Sequence, residues 1–356
     1  MNVLVLGGTG AMGKHLTSLI AEGSNHVVVT SRTQSGHDKN VKYKTGNAKE
    51  KTFIDELLTQ RWDVIIDFMV YKTSEFKNRY ENFLKATDHY IYLSSSRVYA
   101  ESYQPLTESS PRLLDVSKDQ DYLATDEYAL TKARQENLLF ASSRKNWTII
   151  RPYITYDEER LQLGVLEKED WLYRAMKGRS IIFSDDISSK MTTLTMGKDV
   201  ARGIVALIGQ SEALGEAFHI TSDISISWNK ALDIYLEALK SHLSYQPEVF
   251  QQDLDKFLQW RAGRYQVIYD RLYDRQFNNS KINKFIDTSE FVNPEIGLKQ
   301  CLEHFIGSKN PKFKDINWKE EAIKNRFQSE NISLTELPNF KTIIKYFIYR
   351  YSKLLK

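Results

Sequence analysis

The sequence predicts an α/β protein: a doubly wound parallel sheet followed by a smaller α/β lobe. Two observations lead to this prediction. Short, continuously apolar runs alternate with segments of helical periodicity in the first half of the chain, and a glycine-rich loop, GGTGAMG, directly follows the first run, MNVLVL. Strands that are apolar on both faces and separated by helices form parallel sheets that helices cover on either side.

The individual elements follow from this alternation. The predicted strands of the first half are NVLVLG, HVVVTS, VKYKTG, WDVIIDFMV, HYIYLSS and WTIIRP. The predicted helices between them lie near 12–22, 48–60, 74–86 and 127–145. After Pro152 the predicted strands are SIIF, KMTTLT and EAFHIT, and the predicted helices are 166–177, 197–209 and 228–241. We interpret the aromatic and charged segment 245–285 as mainly helical.

The change of pattern after Pro152 indicates two lobes. We assign residues 1–160 to the first domain and residues 161–356 to a smaller lobe with a helical C-terminal extension, and we expect the chain to cross between them more than once. The final segment, FKTIIKYFIYRYSKLLK, places apolar and aromatic residues at helical spacing with Lys and Arg between them. Such a stripe usually packs on its own domain or on the sister subunit of a homodimer, and contact with a membrane surface is the less favoured alternative.

The composition is that of an ordinary globular protein, with 41% hydrophobic and 27% charged residues. A net charge of only +3 gives no indication of a nucleic-acid partner. The single cysteine, Cys301, excludes an intrachain disulfide, and the histidines are scattered, so we expect no metal site. The N-terminus lacks the basic start of a signal peptide and no apolar run is long enough to span a membrane, so we expect a cytoplasmic protein.

The glycine-rich loop predicts a dinucleotide site. Gly7 is placed to make a tight turn after the first strand, Gly10 to admit a pyrophosphate close to the backbone, and Gly13 to bring the next helix close to the sheet. This order of strand, loop and helix is typical of Rossmann-like domains. The loop residues that we expect to contact the cofactor are Gly7, Thr9, Gly10, Ala11, Met12 and Gly13.

The end of the second strand, VVVTSRTQS, indicates which dinucleotide is bound. A free ribose 2′-hydroxyl is usually held by an acidic residue at this position. Ser31 and Arg32 stand there instead: Arg32 could pair with a 2′-phosphate, and Ser31 could donate a hydrogen bond to it. NADP is therefore favoured, with NAD as the alternative.

Three residues are predicted to be catalytic. Tyr128 and Lys132 lie four residues apart in DEYALTKARQENLL, so they share one face of a predicted helix. A lysine ammonium beside a phenol favours the phenolate and suits the tyrosine to acid–base chemistry. Ser95 lies where HYIYLSSSRVYAES leaves its strand, and the carboxyl ends of parallel strands face the crevice in which ligands bind.

Together, GGTGAMG, YLSSSRVY, YALTK and IIRPYITY resemble the extended short-chain dehydrogenase/reductase family of nucleotide-sugar epimerases, dehydratases and ketoreductases. Weaker similarity continues through TLTMGKDVARGIVAL, GEAFHIT, FNNSKINKF and NPEIGLKQCLEHF, to about residue 306. The resemblance implies that Tyr128 donates or accepts the proton, that Ser95 is the second catalytic hydroxyl, and that Lys132 holds the nicotinamide ribose.

The resemblance also implies further ligand contacts. For Phe68 and Met69 ordinary packing is an equal alternative, and for Lys190 a solvated loop position is the favoured one. The additional cofactor contacts expected are Asn47, Phe68, Met69, Ser94, Tyr128, Lys132 and Pro152, and the substrate contacts expected are Ser96, Arg97, Tyr156 and Lys190.

The chain departs from the family's pattern at two places. The usual Gly-Pro after Tyr156 is Asp157-Glu158, which leaves the shape of that loop open. The family's sugar dehydratases carry an acidic residue just after the catalytic hydroxyl, where this chain has Ser96 and Arg97. An arginine cannot act as the base of an elimination, so dehydration is disfavoured.

Three functions stay open on the sequence. The favoured one is an NADP-dependent ketoreductase that acts on a nucleotide-activated 4-keto sugar. The second is a nucleotide-sugar 4-epimerase with tightly bound NAD. The third is a dinucleotide-binding regulator without catalysis, which the presence of Ser95, Tyr128 and Lys132 together disfavours.

Overall fold

The computed structural model describes residues 1–351, so the last five residues of the predicted C-terminal helix lie outside the described part. The strands are β1 (Asn2–Leu6), β2 (His26–Ser31), β3 (Gly36–Asp38), β4 (Val41–Thr45), β5 (Trp62–Asp67), β6 (Thr87–Leu93), β7 (Trp147–Pro152), β8 (Ile154–Tyr156), β9 (Ile181–Ser184), β10 (Met191–Thr192), β11 (Leu194–Met196), β12 (Glu216–Ile220), β13 (Ile226–Ser227) and β14 (Val249–Gln252). The α-helices are α1 (Gly13–Ala21), α2 (Lys51–Leu57), α3 (Thr73–Lys77), α4 (Tyr80–Ala86), α5 (Leu113–Val116), α6 (Gln120–Leu123), α7 (Tyr128–Ala141), α8 (Lys168–Met176), α9 (Asp185–Ser188), α10 (Gly197–Leu207), α11 (Trp228–His242), α12 (Leu254–Leu258), α13 (Arg264–Gln266), α14 (Pro294–Gly307), α15 (Trp318–Gln328) and α16 (Phe340–Tyr351).

The chain forms two compact units, and neither is continuous in sequence. The first unit consists of Met1–Tyr156, Thr193–Ser225 and Arg275–Pro294. The second consists of Asp157–Thr192, Ile226–Asp274 and the chain from Glu295 onwards. The division into domains at residue 160 stays a prediction of the sequence.

An eight-stranded sheet organises the first unit, with the strand order β12-β7-β6-β5-β1-β2-β4-β3. Every pair is parallel except β3 against β4 at one edge. This confirms the predicted Rossmann-like, doubly wound fold class. From β1 the chain first builds outward through β2 and β4, and it then returns to build through β5, β6 and β7 on the other side. The loop after β1 therefore lies at the point where the strand order reverses, which is where such sheets bind ligands.

The sheet is buried on both faces, and β1 shows how. Val3 and Val5 belong to one hydrophobic cluster, whereas Leu4 and Leu6 belong to the other. Side chains alternate across a strand, so a strand with helices on both sides must be apolar at every position. Helices α1 and α10 contribute to the first cluster, and helices α2, α4 and α7 contribute to the second.

The structure differs from the sequence-based expectation in three segments. The predicted strand KMTTLT is two short strands, because β10 pairs with β13 and β11 pairs with β8. The predicted helix at 74–86 is two helices, α3 and α4, because Arg79 leaves the helical region at φ −136. The prediction of a mainly helical segment 245–285 is wrong. Strand β14 pairs there with β9, and Gly263 at φ +84 separates short α12 from short α13. No helix within residues 1–351 has the length and apolar character needed to cross a bilayer.

Candidate active site

The loop after β1 has a conformation that only glycine allows at two points. Gly7 adopts φ +72, and its N–H donates to Thr30 Oγ1 on β2 at 3.0 Å. A Cβ on Gly13 would lie 2.6 Å from the backbone of Gly8, so α1 begins in direct contact with the turn. A Cβ on Gly10 would have no heavy atom within 4 Å, so the space in front of this backbone is open. The loop therefore leaves room for a ligand at the N-terminus of α1.

A cavity of about 480 Å³ opens beside this loop. It lies at the carboxyl ends of β1, β2, β4 and β5, since its walls follow or end these strands. Its polar backbone, small side chains and single guanidinium fit the adenosine and phosphate part of a dinucleotide. The residues that line it are Gly7, Thr9, Thr30, Ser31, Arg32, Gly46, Asn47, Ala48, Lys49, Met69 and Val70.

Six of the predicted cofactor residues line this cavity, but their side chains differ in what they can still offer. Ser31 Oγ accepts from the N–H groups of Thr33 and Gln34, at 3.3 and 3.1 Å, and keeps its proton to donate. Asn47 Oδ1 accepts from Lys49 N–H at 3.0 Å and shapes the turn after β4. Arg32 is exposed. Of the predicted residues beyond β5, Met69 lines the cavity and Phe68 packs half-buried against the hydrophobic core.

The three serines after β6 use their hydroxyls in different ways. Ser94 donates to Glu136 Oε1 at 2.6 Å, and Ser96 donates to the carbonyl of Arg151 at 2.7 Å. Both hydroxyl protons are thus used in the interior. Ser95 Oγ accepts from the N–H of Arg97 at 3.2 Å, which leaves its own proton to donate.

Tyr128 is the first residue of α7, and an ion pair holds the start of this helix. Glu127 caps the helix by accepting from Ala129 N–H at 2.7 Å, and its other oxygen accepts from Arg97 at 2.5 Å. The Arg97 guanidinium lies 5.3 Å from the centre of the Tyr128 ring, and Lys132 Nζ lies 5.9 Å from it. Arg97 therefore connects the loop of Ser95 to the ring of Tyr128.

Lys132 is buried, and its surroundings stabilise its charge incompletely. Its Nζ donates to the carbonyl of Leu93 at 2.5 Å and lies 4.6 Å from the centre of the Tyr92 ring. Burial lowers the pKa of Lys132 to about 8, although the charges of Asp67 and Glu136 oppose this shift. A buried lysine that exchanges its proton near neutral pH is typical of functional sites.

Asp67, at the end of β5, is the counterpart of this lysine. Burial raises the pKa of Asp67 to about 6, against the stabilising hydrogen bonds from Met69 N–H and Tyr90 and the charge of Lys132. Tyr90 donates to its Oδ2 at 2.8 Å, and Tyr71 donates to its Oδ1 at 3.3 Å. Asp67 and Lys132 are thus two buried groups of opposite charge whose ionisation depends on pH.

Three predicted residues have surroundings of their own. Pro152 ends β7 and pairs in register with Ile220, and Tyr156 is buried at the end of β8. Lys190 belongs to the second compact unit and is half-buried.

Sequence reasoning missed two charged residues of the site. Glu127 immediately precedes the first helical residue, which is the usual place of a helix cap. Glu136 follows Lys132 by four residues and therefore shares its helix face. The spacing could have revealed both residues, whereas their partners on other elements could not be read from it.

The parallel sheet and the glycine-rich loop after its first strand are those of Rossmann-type enzymes that use a dinucleotide. The sequence model of the NAD dependent epimerase/dehydratase family matches residues 3–221, which is more than half of the chain. The chain therefore belongs to the NAD-dependent epimerase/dehydratase family, whose members are extended short-chain dehydrogenase/reductase enzymes. The resemblance seen in the sequence is confirmed.

This chain is also similar to a protein whose name describes stem-loop binding. The chloroplast stem-loop binding protein of 41 kDa b from Arabidopsis thaliana is 23% identical over 244 residues. The match covers 64% of this chain and 60% of the relative, so this chain spans less than two thirds of that protein's length.

Solved structures share the fold. An epimerase from Methanothermobacter thermautotrophicus has a TM-score of 0.67 at 18% identity, over 86% of this chain and 92% of that one. The dTDP-glucose 4,6-dehydratase of Bacillus anthracis, in complex with NAD, has a TM-score of 0.66 at 15% identity, and the match covers 87% of this chain and 97% of that one. The UDP-glucuronic acid 4-epimerase of Bacillus cereus, in complex with UDP-glucuronic acid and NAD, has a TM-score of 0.63 at 18% identity, and the match covers 86% of this chain and 99% of that one.

Proposed function

We propose that this protein catalyses a nicotinamide-dependent oxidation or reduction at a sugar carbon of a nucleotide sugar, through Ser95, Tyr128 and Lys132. The observation that carries the proposal is the position of buried Lys132, 5.9 Å from the Tyr128 ring and with a pKa lowered to about 8. A protonated lysine there favours the phenolate, so the tyrosine can release and regain a proton near neutral pH.

The dinucleotide would be held by the loop after β1 and by the cavity beside it. Its pyrophosphate would meet the backbone around Gly10, and its adenosine ribose would meet Ser31 and Arg32. When bound, it supplies or accepts the hydride. The residues of this chain supply the rest: Tyr128 moves the proton of the hydroxyl or carbonyl group, and Ser95 donates a hydrogen bond to the same oxygen.

Ketoreduction with NADP is our first choice for the reaction. Arg32 is exposed and lines the cavity, and no acidic side chain lines the part of the cavity that the structure describes. A guanidinium at this position pairs with a 2′-phosphate. Epimerisation with retained NAD is the second choice, because the chain belongs to a family described as NAD-dependent and shares its fold with an NAD-containing 4-epimerase.

The nucleotide that the protein retains distinguishes these two reactions. We expect purified protein to release no stoichiometric NAD on denaturation, and to bind NADPH more tightly than NADH. Arg32→Ala should weaken NADPH binding roughly tenfold to hundredfold and leave NADH nearly unchanged, because a charge-assisted contact is lost. Retained NAD, or equal weakening of both cofactors, would make the epimerase the better assignment.

Turnover tests the catalytic assignment directly. With UDP- and dTDP-linked 4-keto sugars and NADPH, Tyr128→Phe should lose roughly a hundredfold to ten-thousandfold in turnover while it still binds the cofactor. Tyr122→Phe is a matched control, since this buried tyrosine contacts the same Glu127 at 3.3 Å. Near-normal turnover of Tyr128→Phe would remove this tyrosine from the mechanism.

Nucleic-acid binding is the alternative that the name of the plant relative suggests. In this chain three of the four arginines of the 255–285 segment are already engaged, and the fourth, Arg264, is exposed. Arg261 pairs with Asp170 at 3.0 Å, Arg271 pairs with Asp270, and buried Arg275 donates to the carbonyl of Tyr99 at 3.0 Å. Guanidiniums engaged in this way are not presented as a phosphate-binding surface, so we do not favour this function.

A further inference from the structure

Helix α16 carries an apolar stripe on its exposed face. Phe340 and Ile348 are 74% and 53% exposed, and the stripe members recur at helical spacing along one side. The opposite face is buried, since Tyr346 packs against α15 and is almost fully buried. We call this exposed set the α16 stripe; its members are Phe340, Ile344, Phe347, Ile348 and Tyr351.

The charge beside the α16 stripe is positive. Helix α16 contains no acidic residue, and Lys341 and Lys345 are exposed next to the stripe. The sequence continues as SKLLK, which adds two lysines and no acidic residue beyond the described part.

The acidic residues of the same segment are directed inward. Arg174 pairs with Glu321 at 2.8 Å and also with Glu330, and Arg179 pairs with Glu336 at 3.0 Å. Arg261 pairs with the fourth acidic residue, Glu320, at 3.1 Å. The second unit thus neutralises this negative charge internally and leaves lysines outside. The acidic residues of 318–351 are Glu320, Glu321, Glu330 and Glu336.

We propose that the α16 stripe docks on an anionic lipid surface. Exposed Ile and Phe side chains flanked by lysines are what an interfacial helix needs, since the apolar groups enter the acyl boundary and the ammonium groups meet the headgroups. A second copy fits less well, because an isologous interface on this stripe would bring like-charged lysines together. Nucleic acid also fits less well, because Ile344 and Ile348 offer neither hydrogen bonds nor a stacking face.

Vesicle co-sedimentation of the full chain tests this proposal. Wild type should bind vesicles made of equal parts phosphatidylcholine and phosphatidylglycerol, and bind phosphatidylcholine alone weakly. Lys341→Gln with Lys345→Gln should lower the partition coefficient on anionic vesicles roughly twenty- to thirtyfold. Ile344→Ser with Ile348→Ser should lower it at least roughly tenfold on the same vesicles. The matched control is Ile296→Ser on α14, a residue that is 55% exposed and lies outside the stripe.

The outcomes separate the possible occupants. Binding that falls in both double variants and persists in Ile296→Ser supports the proposal. The proposal is overturned if wild type does not bind anionic vesicles, or if both double variants bind as wild type does. It is also overturned if light scattering without vesicles shows a dimer that the isoleucine variant dissociates. Thermal unfolding and cofactor binding should match wild type in each variant, since every substituted side chain is exposed.

Discussion

Helix α7 carries two buried charged residues one turn apart, Lys132 and Glu136, and they differ in how many partners compensate the charge. Glu136 accepts four hydrogen bonds: from Ser94 at 2.6 Å, from Arg151 at 2.8 Å twice, and from Arg112 at 3.2 Å. Burial alone would lower the pKa of Arg151, but the charge of Glu136 and the contact with Tyr99 outweigh it and raise the pKa above its usual range. The Arg151 guanidinium is therefore held in its charged form by these contacts.

Lys132 lies on the same face but has far less compensation. Its Nζ bonds to a carbonyl, and its charged partner Asp67 has a pKa raised by burial to about 6, so both groups exchange protons near neutrality. The contrast is between a buried charge with several charged and hydrogen-bonding partners and a buried charge with few, and perturbed groups of the second kind cluster at functional sites. It assigns opposite mutational behaviour to two residues of one helix.

The largest expected effect is on stability, at Glu136. Glu136→Gln leaves the buried Arg151 without its counter-charge and should cost about 3–5 kcal/mol in the free energy of unfolding. Urea unfolding at pH 7 measures this, with exposed Glu101→Gln as the control. A loss as small as that of the control would show that Glu136 and its hydrogen-bond partners contribute no more to the free energy of unfolding than an exposed glutamate does.

The next effect is a pH dependence, at Asp67. Its folded pKa is raised from 3.8 to about 6, so the stability that it contributes is fully present below about pH 4 and is lost as the pH rises through about 6. A shift of this size corresponds to about 3 kcal/mol.

Asp67→Asn should therefore become more stable relative to wild type by about 2 kcal/mol between pH 4 and pH 7, as measured by urea unfolding at both values. Exposed Asp38→Asn should follow wild type at both values. If Asp67→Asn also follows wild type, burial does not raise the pKa of Asp67 in the folded protein and the contrast with Glu136 disappears.

The smallest effect is on turnover, at Lys132. Lys132→Met should reduce turnover and cofactor affinity roughly tenfold to hundredfold, because a charged contact is lost. Since the folded state pays to bury this ammonium, the variant should be at least as stable as wild type at pH 7, the opposite sign to Glu136→Gln. Reduced stability together with an unchanged pH profile of turnover would make Lys132 a structural charge like Glu136.

The sheet and the first loop could be predicted because their causes are local. Strand β1 is apolar and buried from Val3 to Leu6, and Gly7 and Gly13 stand where a positive φ and a close backbone contact occur. The same local reasoning placed Tyr128 and Lys132 on one helix face, where the structure also has them, whereas their catalytic roles stay a prediction.

The parts that sequence reasoning missed depend on distant partners. The roles of Glu136 and Asp67 become visible only when Arg151 and Lys132 are brought to them across the fold. In the 245–285 segment, aromatic and charged residues suit a helix locally, but β14 forms because β9 offers it a parallel edge. Such pairings are set by topology and cannot be read from the periodicity of one segment.

The position of β12 at the edge of the large sheet has a consequence for synthesis. Its residues, Glu216–Ile220, leave the ribosome long after those of β7, the strand that β12 covers. While the intervening chain is being made, β7 presents an open edge of N–H and carbonyl groups, the usual starting point of aggregation. A fragment that ends at residue 160 would keep that edge permanently, so the apparent boundary there is a poor place to cut this protein.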